Sequence, residues 1–498
     1  MTNIKTPPGR SKPPTGQTPQ TRGDRTPPGR STVKIKPGSF RARAIEGLSN
    51  PYRRRTVAGV QDHFANLRRE VFTELGNPEE WRARAAQIRT HTIANLDAYL
   101  EQFTDNVTRH GGHVHFAADA ADANAYITRL AREKRARTIV KSKSMVTEEI
   151  GLNHALEHAG AEVIETDLGE FILQLDHDKP SHIVGPALHK SKAEIAEIFS
   201  RHAGHPIAVD TDELAAYARK YLRDKFFAAD MGITGCNFGV AESGSVVIVS
   251  NEGNARMTSS LPKVHVVVMG MERLVPSFAD LDILLTLLPK VASGQRTISY
   301  VTAIHGPKQA PDLDGPEELH IVIVDNGRSN MLGTEYQQAL NCIRCGNCSN
   351  VCPVYRHAGG HAYGGVYNGP IGAIITPLME GIEKWKDLPY ASSLCGACTD
   401  ACPVKIPLHE YLVALRRDIS EAGIDSWGER MAAHLFGWGA SHPGAFSMGQ
   451  SILKTGLTAT KVGPLGGWKS EREFPSSAGQ TFREWWHKEG EREGERER

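Results

Sequence analysis

No run of the chain approaches the roughly 18 consecutive apolar residues that a membrane-spanning helix requires. The N-terminal MTNIKTPPGR has no apolar core of the kind a secretory signal needs. Tyr52-Arg53-Arg54-Arg55 is arginine-rich, but no hydrophobic stretch follows it. An excess of one charge is missing too. The 58 Lys+Arg meet 57 Asp+Glu, so neither nucleic acid nor an anionic membrane surface is implied as a general partner. No G-x-G-x-x-G follows a strand-like run, and nothing points to flavin or nicotinamide. These absences predict a cytoplasmic protein. Cysteine is also scarce outside two short stretches, where Cys236 stands alone and reads as a buried, inert thiol.

The two stretches are NCIRCGNCSNVCPVYR (341–356) and SSLCGACTDACPVKIP (392–407). In a reducing compartment, clustered cysteines are metal ligands before they are disulfides. Structural zinc pairs its ligands and separates the pairs by a dozen or more residues. Three cysteines at two-residue gaps, followed by Cys-Pro, instead fit iron–sulfur cubanes, with the last cysteine reaching a different cluster. By that crossed rule Cys342, Cys345, Cys348 and Cys402 hold one 4Fe-4S cluster. Cys352, Cys395 and Cys398 hold a second, and its remaining corner falls at Ser392. Three outcomes stay open there: ligation by the serine oxygen, a labile fourth iron carrying water or a partner's group, or a three-iron cluster. Two clusters in one small domain suit one-electron relay. His357, His361 and His409 read as loop histidines satisfied by solvent.

Around this frame, residues 1–55 are basic and Pro-rich, repeat TPPGRS at Thr6 and Thr26, and read as a disordered tail. Residues 61–332 read as one α/β domain. NLRREVFTEL and WRARAAQIRTHTIANLDAYLEQFTDNVTRHG have helical spacing. HVHFA, RTIVKS, AEVIET and SHIVG read as short strands between amphipathic helices, which predicts a largely parallel sheet covered on both faces. GITGCNFGVAESGSVVIVSNEGN, KVHVVVMG, TISYVTAIHG and LHIVIVDNG extend that sheet or build a second, partly antiparallel one. Residues 333–422 form the cysteine domain, 423–486 a region helical at first, and 487–498 a charged tail.

Both cysteine stretches, the connecting HAYGGVYNGPIGAIITPLMEG, and the upstream VKSKSMVTEEIGLN and GVAESGSVVIVSNEGNARM resemble the lactate utilisation protein B family. The resemblance implies a lactate-utilisation (LUD) α/β domain akin to sugar-phosphate isomerases and CoA transferases, followed by an α-helical ferredoxin domain. It implies an electron-carrying subunit with two 4Fe-4S clusters, the second with an incomplete cysteine set. The implied partners in oxidising L-lactate to pyruvate are a CCG-domain protein and a second LUD protein. The alternative is an enzyme in its own right, with a carboxylate- or CoA-type ligand in the LUD pocket. Lys141, Ser142, Lys143 and Ser144, between a strand and a helix, form either an anion site or a solvated turn with a capping serine. Gly244 and Gly253 would let backbone approach a ligand. Glu242 is the candidate nucleophile or base implied by the CoA-transferase likeness.

Overall fold

The computed structural model describes residues 38–310, 312–424, 427–450 and 480–490. Helices α1 (Phe40–Leu48), α2 (Pro51–Leu75), α3 (Pro78–Ala94) and α4 (Leu96–Arg109) lead into strand β1 (His113–Ala117). Then come α5 (Ala120–Glu133), β2 (Thr138–Lys141), α6 (Met145–Glu149), α7 (Leu152–His158), β3 (Glu162–Glu165), α8 (Leu168–Leu175), α9 (Lys192–Ala203), α10 (Thr211–Ala228) and β4 (Met231–Thr234). Strands β5 (Phe238–Val240) and β6 (Ser245–Ser250) precede α11 (Asn254–Ser260), β7 (Val264–Gly270), β8 (Leu274–Val275), α12 (Phe278–Ser293), β9 (Tyr300–Ile304) and β10 (Glu318–Val324). Short helices α13 (Asn347–Asn350), α14 (Pro353–Ala358), α15 (Gly369–Glu380) and α16 (Ala397–Asp400) follow, then α17 (Leu408–Glu421) and α18 (Trp427–Ser441).

The main sheet runs β1-β10-β7-β4-β2-β3, and every pairing in it is parallel. Alternation along its central strands explains why both faces are dry. Val264, Val266 and Val268 of β7 join Ile127 and Ile139 in one core. Val267 and Met269 point the other way, against Phe103 and Val107 of α4. The second sheet, β8-β5-β6-β9, mixes antiparallel and parallel pairs. Both sequence alternatives for this region are therefore realised: β4, β7 and β10 enlarge the first sheet, and the other strands build the second.

Two expectations change. SHIVG is a turn, not a strand: Ser181 donates to Pro186 O, and His182 Nδ1 accepts the N–H groups of Val184 and Gly185 at 3.1 Å. Flanking Pro180 and Pro186 favour that outcome. Residues 40–48 and 51–55, expected in the tail, are helical. Ala44 of α1 is buried, Arg43 Nε donates to Ala362 O at 2.9 Å, and Phe40 meets Tyr363 edge-on. Residues 1–37, with the TPPGRS repeat, lie outside the described residues, as do 491–498 of the charged tail. The chain separates into compact units Met1–Val413 and Ala414–Arg498. Within the first, helix α2 packs on both the α/β and the cysteine regions: Gln61 Nε2 donates to Ser349 O and Cys352 O at 2.8 and 3.2 Å, while other residues of α2 pack on α12. In the second unit α18 exposes Trp427, Phe436 and Trp438. No helix among the described residues is long and apolar enough to cross a membrane.

Candidate metal centre

The two cysteine loops have the same backbone. Arg344 and Leu394, each just before the second ligand position, are left-handed at φ 59° and 54°. Gly346 and Gly396 follow in the same region at 73° and 79°. Each glycine starts a single helical turn, α13 or α16, and the cysteine after that turn, Cys352 or Cys402, is followed by proline. Left-handed arginine and leucine are uncommon and persist only where the surroundings dictate them. Here the kink turns an amide onto the preceding ligand atom: Arg344 N–H donates to Cys342 Sγ at 3.4 Å, and Leu394 N–H donates to Ser392 Oγ at 3.1 Å. Ser392 thus stands in the second loop where Cys342 stands in the first.

Folding brings the two loops together. Cys342 and Cys402 are near enough to raise the Cys345 thiol, which burial already raises. Cys352 and Cys395 act in the same way on Cys398, which burial mainly pushes up to about 11. Asn347 Nδ2 ties the loops together by donating to Ala401 O at 2.7 Å. None of the cysteines is in a disulfide. Two further observations bear on what these sulfurs fit. First, among the described residues they form no group of three ligand atoms within 4.8 Å of one another. One tetrahedral zinc with bonds of about 2.3 Å would need sulfurs about 3.8 Å apart; a cubane holds its ligands further out. Second, buried Arg344 Nη1 and Ser349 Oγ have no partner in the chain. Five of these thiols are buried, and they stay protonated unless a metal centre takes up their thiolate charge. The donor set fits iron–sulfur clusters.

The two sets have different surroundings. Arginines crowd the first. Arg82 donates to Cys402 O at 2.9 Å, Arg273 to Cys342 O at 3.2 Å, and Arg68 pairs with Asn347 of the loop. Arg89, fully buried, gives its guanidinium to the carbonyls of Leu340, Asn341, Leu274 and Glu272. Burial pushes it down to about 10, still well above neutrality, so it stays charged. Arg344 lies over the Tyr367 ring at 4.4 Å and reaches Glu272 at 3.3 Å. Glu272 is held down at about 2 against the pull of burial, chiefly by Arg328 and Arg344. Arg328 grips Glu149 with both terminal nitrogens at 2.8 and 2.7 Å, and Glu272 at 2.7 Å. At the second set, by contrast, Cys395 is exposed.

A cleft of about 300 Å³ lies where β2, β4 and β6 end, between those loops and the first cysteine loop. Ser142, Lys143 and Ser144 line it together with Glu252, Arg273, Arg344 and Cys345. Lys141 does not. It is wholly buried, 2.7 Å from Glu165 and 3.3 Å from Glu148, so its charge is already spent. Ser144 caps α6, accepting from Thr147 N–H, and that helix has only 5 residues. Glu242 is exposed on the far side, where it accepts the Phe278 N–H at 2.7 Å at the start of α12. Gly244 packs on α4, where a β-carbon would meet Val107 N at 2.6 Å. Gly253 (φ 75°) starts α11 and turns Glu252 and Asn254 to the cleft. Glu252 is exposed at the cleft's edge, accepts the Leu168 N–H at 3.1 Å, and is raised by partial desolvation and by Asp167 beside it. Burial likewise pushes the Cys236 thiol up to about 12, so it stays protonated. His409 Nδ1 meets Thr399 Oγ1 at 2.8 Å and His361 Nε2 meets Lys179 O at 2.9 Å, so chain atoms rather than solvent satisfy them.

Residues 100–324 match the LUD domain, 338–406 the 4Fe-4S dicluster domain, and 418–491 the C-terminal domain of lactate utilisation protein B. The chain is 53% identical to "Lactate utilization protein B" of Shouchella clausii, covering 91% of this chain and 97% of that one. Its namesakes in Geobacillus kaustophilus and Bacillus subtilis are 52% and 50% identical, with the same shares covered. The chain belongs to the lactate utilisation protein B family.

In this family member, sequence reading located the cysteines and one flank of the cleft. It missed the arginines and Glu252. Arg82 and Arg89 recur at helical spacing on α3, which was the available signal, but charge on a helix face is normally solvated. Only the packing of α3 beneath the cysteine loop gives them a role.

Proposed function

We propose that the chain is the iron–sulfur electron-carrying subunit of a complex that oxidises L-lactate to pyruvate, so that lactate serves as a carbon source. In this reading Cys342, Cys345, Cys348 and Cys402 hold one 4Fe-4S cluster. Cys352, Cys395 and Cys398 hold the other, whose fourth iron, beside Ser392, is labile. The clusters supply one-electron steps. The chain's own residues position the thiolates, offset the first cluster's negative charge with arginine and exclude water from it. The observation that carries the proposal is the asymmetry of the two sets: one is buried against the LUD cleft, the other reaches the surface at Cys395. That order suits a relay from the interior to a docked partner. A CCG-domain protein and a second LUD protein are the proposed partners, and the cytoplasm the proposed location.

We also read the LUD sheet as akin to the isomerase and CoA-transferase folds, and the cysteine region as an α-helical ferredoxin, since helices and turns alone surround its loops among the described residues. The tail, LUD, ferredoxin and C-terminal boundaries given above stand as proposals, with the tail now starting its helix at Phe40. Cys345→Ala and Cys398→Ala are expected to abolish growth on lactate while the LUD domain stays soluble. Anaerobic purification with iron and sulfide analysis should give about eight irons per chain, two cubanes. Normal growth of both variants, or zinc in place of iron, would refute the reading. A second reading, turnover by the chain itself, is favoured only by the raised Glu252 at the cleft's edge; lactate oxidation by the isolated chain with an artificial acceptor would establish it.

A further inference from the structure

Among the described residues, one group of three side chains brings metal-binding atoms within 4.8 Å of one another: Asp178, His189 and His361. No cysteine belongs to it. Asp178 and His189 lie in the turns between α8 and α9, and His361 follows α14 in the cysteine region. His189 is 2% and Asp178 28% exposed at the side chain. Both histidines line a small cavity bounded by α1, α2 and α14.

Each of the three is held from behind by an oxygen or an amide. A carbonyl only accepts, so His361 Nε2 donates to Lys179 O at 2.9 Å and Nδ1 keeps its lone pair. Asp178 Oδ1 accepts the Lys179 N–H at 2.8 Å, while Oδ2 faces His189 Nε2 at 3.0 Å. His189 Nδ1 meets Ser181 Oγ at 2.8 Å, and that hydroxyl donates onward to Pro186 O at 3.3 Å. With its proton so engaged, Ser181 Oγ accepts from His189 Nδ1. His189 Nε2 then needs a cation between it and the carboxylate, either a second proton or a metal ion. A far ring nitrogen fixed by an oxygen is the usual support of a metal-ligating histidine.

The surrounding charges decide the kind of ion. Lys190 Nζ is 2.7 Å from Asp178 Oδ2, but it also has Asp176 at 2.6 Å and keeps that partner when Asp178 turns to a metal. Lys190 and Arg201 balance Asp176 and Asp178. On the cavity side Arg53 and Arg54 balance Glu46 and Glu194, and Arg43 and Arg356 face Asp387 and Asp62. The neighbourhood is neutral, and one carboxylate is too few for calcium or magnesium, which are held by oxygen. Two imidazoles and a carboxylate suit zinc.

We propose that Asp178, His189 and His361 form a zinc site, its fourth position open to water from the cavity, that clips the α/β region to the loop after the first cysteine motif. The site is independent of the iron–sulfur clusters.

The test is calorimetric titration of the anaerobically purified full chain, clusters in place, with zinc chloride. One zinc is expected to bind per chain. X-ray absorption at the zinc edge should show nitrogen and oxygen at about 2.0–2.1 Å and no sulfur at about 2.3 Å. His361→Gln should weaken binding by about a hundredfold or more, since losing even a supporting contact of a ligand costs about 10–100-fold. Asp178→Asn, at a partly exposed carboxylate, should weaken it too and serves should His361→Gln fold poorly. His154→Gln, in the exposed histidine pair of α7, should leave affinity unchanged. Zinc should raise the melting midpoint of wild type and not of His361→Gln. No zinc binding by the cluster-loaded chain, sulfur in the zinc shell, displacement by equimolar magnesium, or unchanged affinity in both His361→Gln and Asp178→Asn would overturn the proposal.

Discussion

Replacing Arg328 with methionine removes the cation that bridges two buried carboxylates, leaving Glu149 without a cation and Glu272 with Arg344. Arg328 is wholly buried; Glu149 and Glu272 are 5% and 1% exposed at their side chains. At an effective dielectric of about 20, each pair at about 4 Å between charge centres is worth roughly 4 kcal/mol of gross attraction, much of it offset by desolvation. Measured losses on breaking such pairs are about 3–5 kcal/mol, because the surviving charge stays buried and unpaired. Arg328→Met should therefore lower unfolding stability by about 3–5 kcal/mol. The effect should reach the cysteines as well. Tyr367 Oη donates to Glu149 Oε2 at 2.6 Å, and Arg344 lies on the Tyr367 ring. Urea denaturation followed by far-ultraviolet dichroism and by cluster absorbance should show bleaching at lower urea than in wild type. Arg356→Met is the control. Its partner Asp62 is 65% exposed at its side chain, and surface pairs of this kind contribute about 0–1 kcal/mol. A loss below about 1 kcal/mol for Arg328→Met, or one equal to the control, would refute the reasoning.

Three further outcomes are expected. Ser392→Cys supplies an eighth thiolate at the position matching Cys342; mild oxidation is expected to produce a three-iron paramagnetic signal in wild type and not in this variant, and the same signal in both would contradict the labile corner. Acid should destabilise the fold as pH drops below about 6.5 and on towards 4. Burial pushes His182 down to about 4 and His265 to about 3. Each is neutral in the fold and protonates in the unfolded chain first, so its stabilisation is complete above the unfolded value and is lost as pH falls to the folded one. For His182 that is roughly 3 kcal/mol; pH-dependent urea midpoints flat across this window would contradict it. Gly360→Ala should destabilise the unit and slow cluster loading, since a β-carbon there would lie 1.8 Å from Ser181 O; wild-type melting would argue against that contact.

The strands around the core were legible because Val, Ile and Thr runs of four to seven residues, flanked by Gly or Asp, have few other options. The cysteine spacing was legible because sulfur chemistry leaves few readings of it. Lys141 was misleading for a physical reason: sequence shows a lysine at a strand end but not Glu148 and Glu165 folding over it. Glu242 failed similarly, since its loop turns towards α12 and not towards the cleft. Arg89 and Arg328 were invisible because a buried arginine differs from a surface one only through partners hundreds of residues away or on other strands. SHIVG shows the limit of pattern alone: the residues suit a strand, but His182 binds the backbone of its own turn.

In the proposed ligand assignment Cys402 joins Cys345, and Cys352 joins Cys398, so neither loop would own a complete cage. Each is half of a clasp. Iron delivered to a half-made chain would find no finished seat, so loading is expected to be all or nothing, with the last stretch of the ferredoxin region deciding when both cages close.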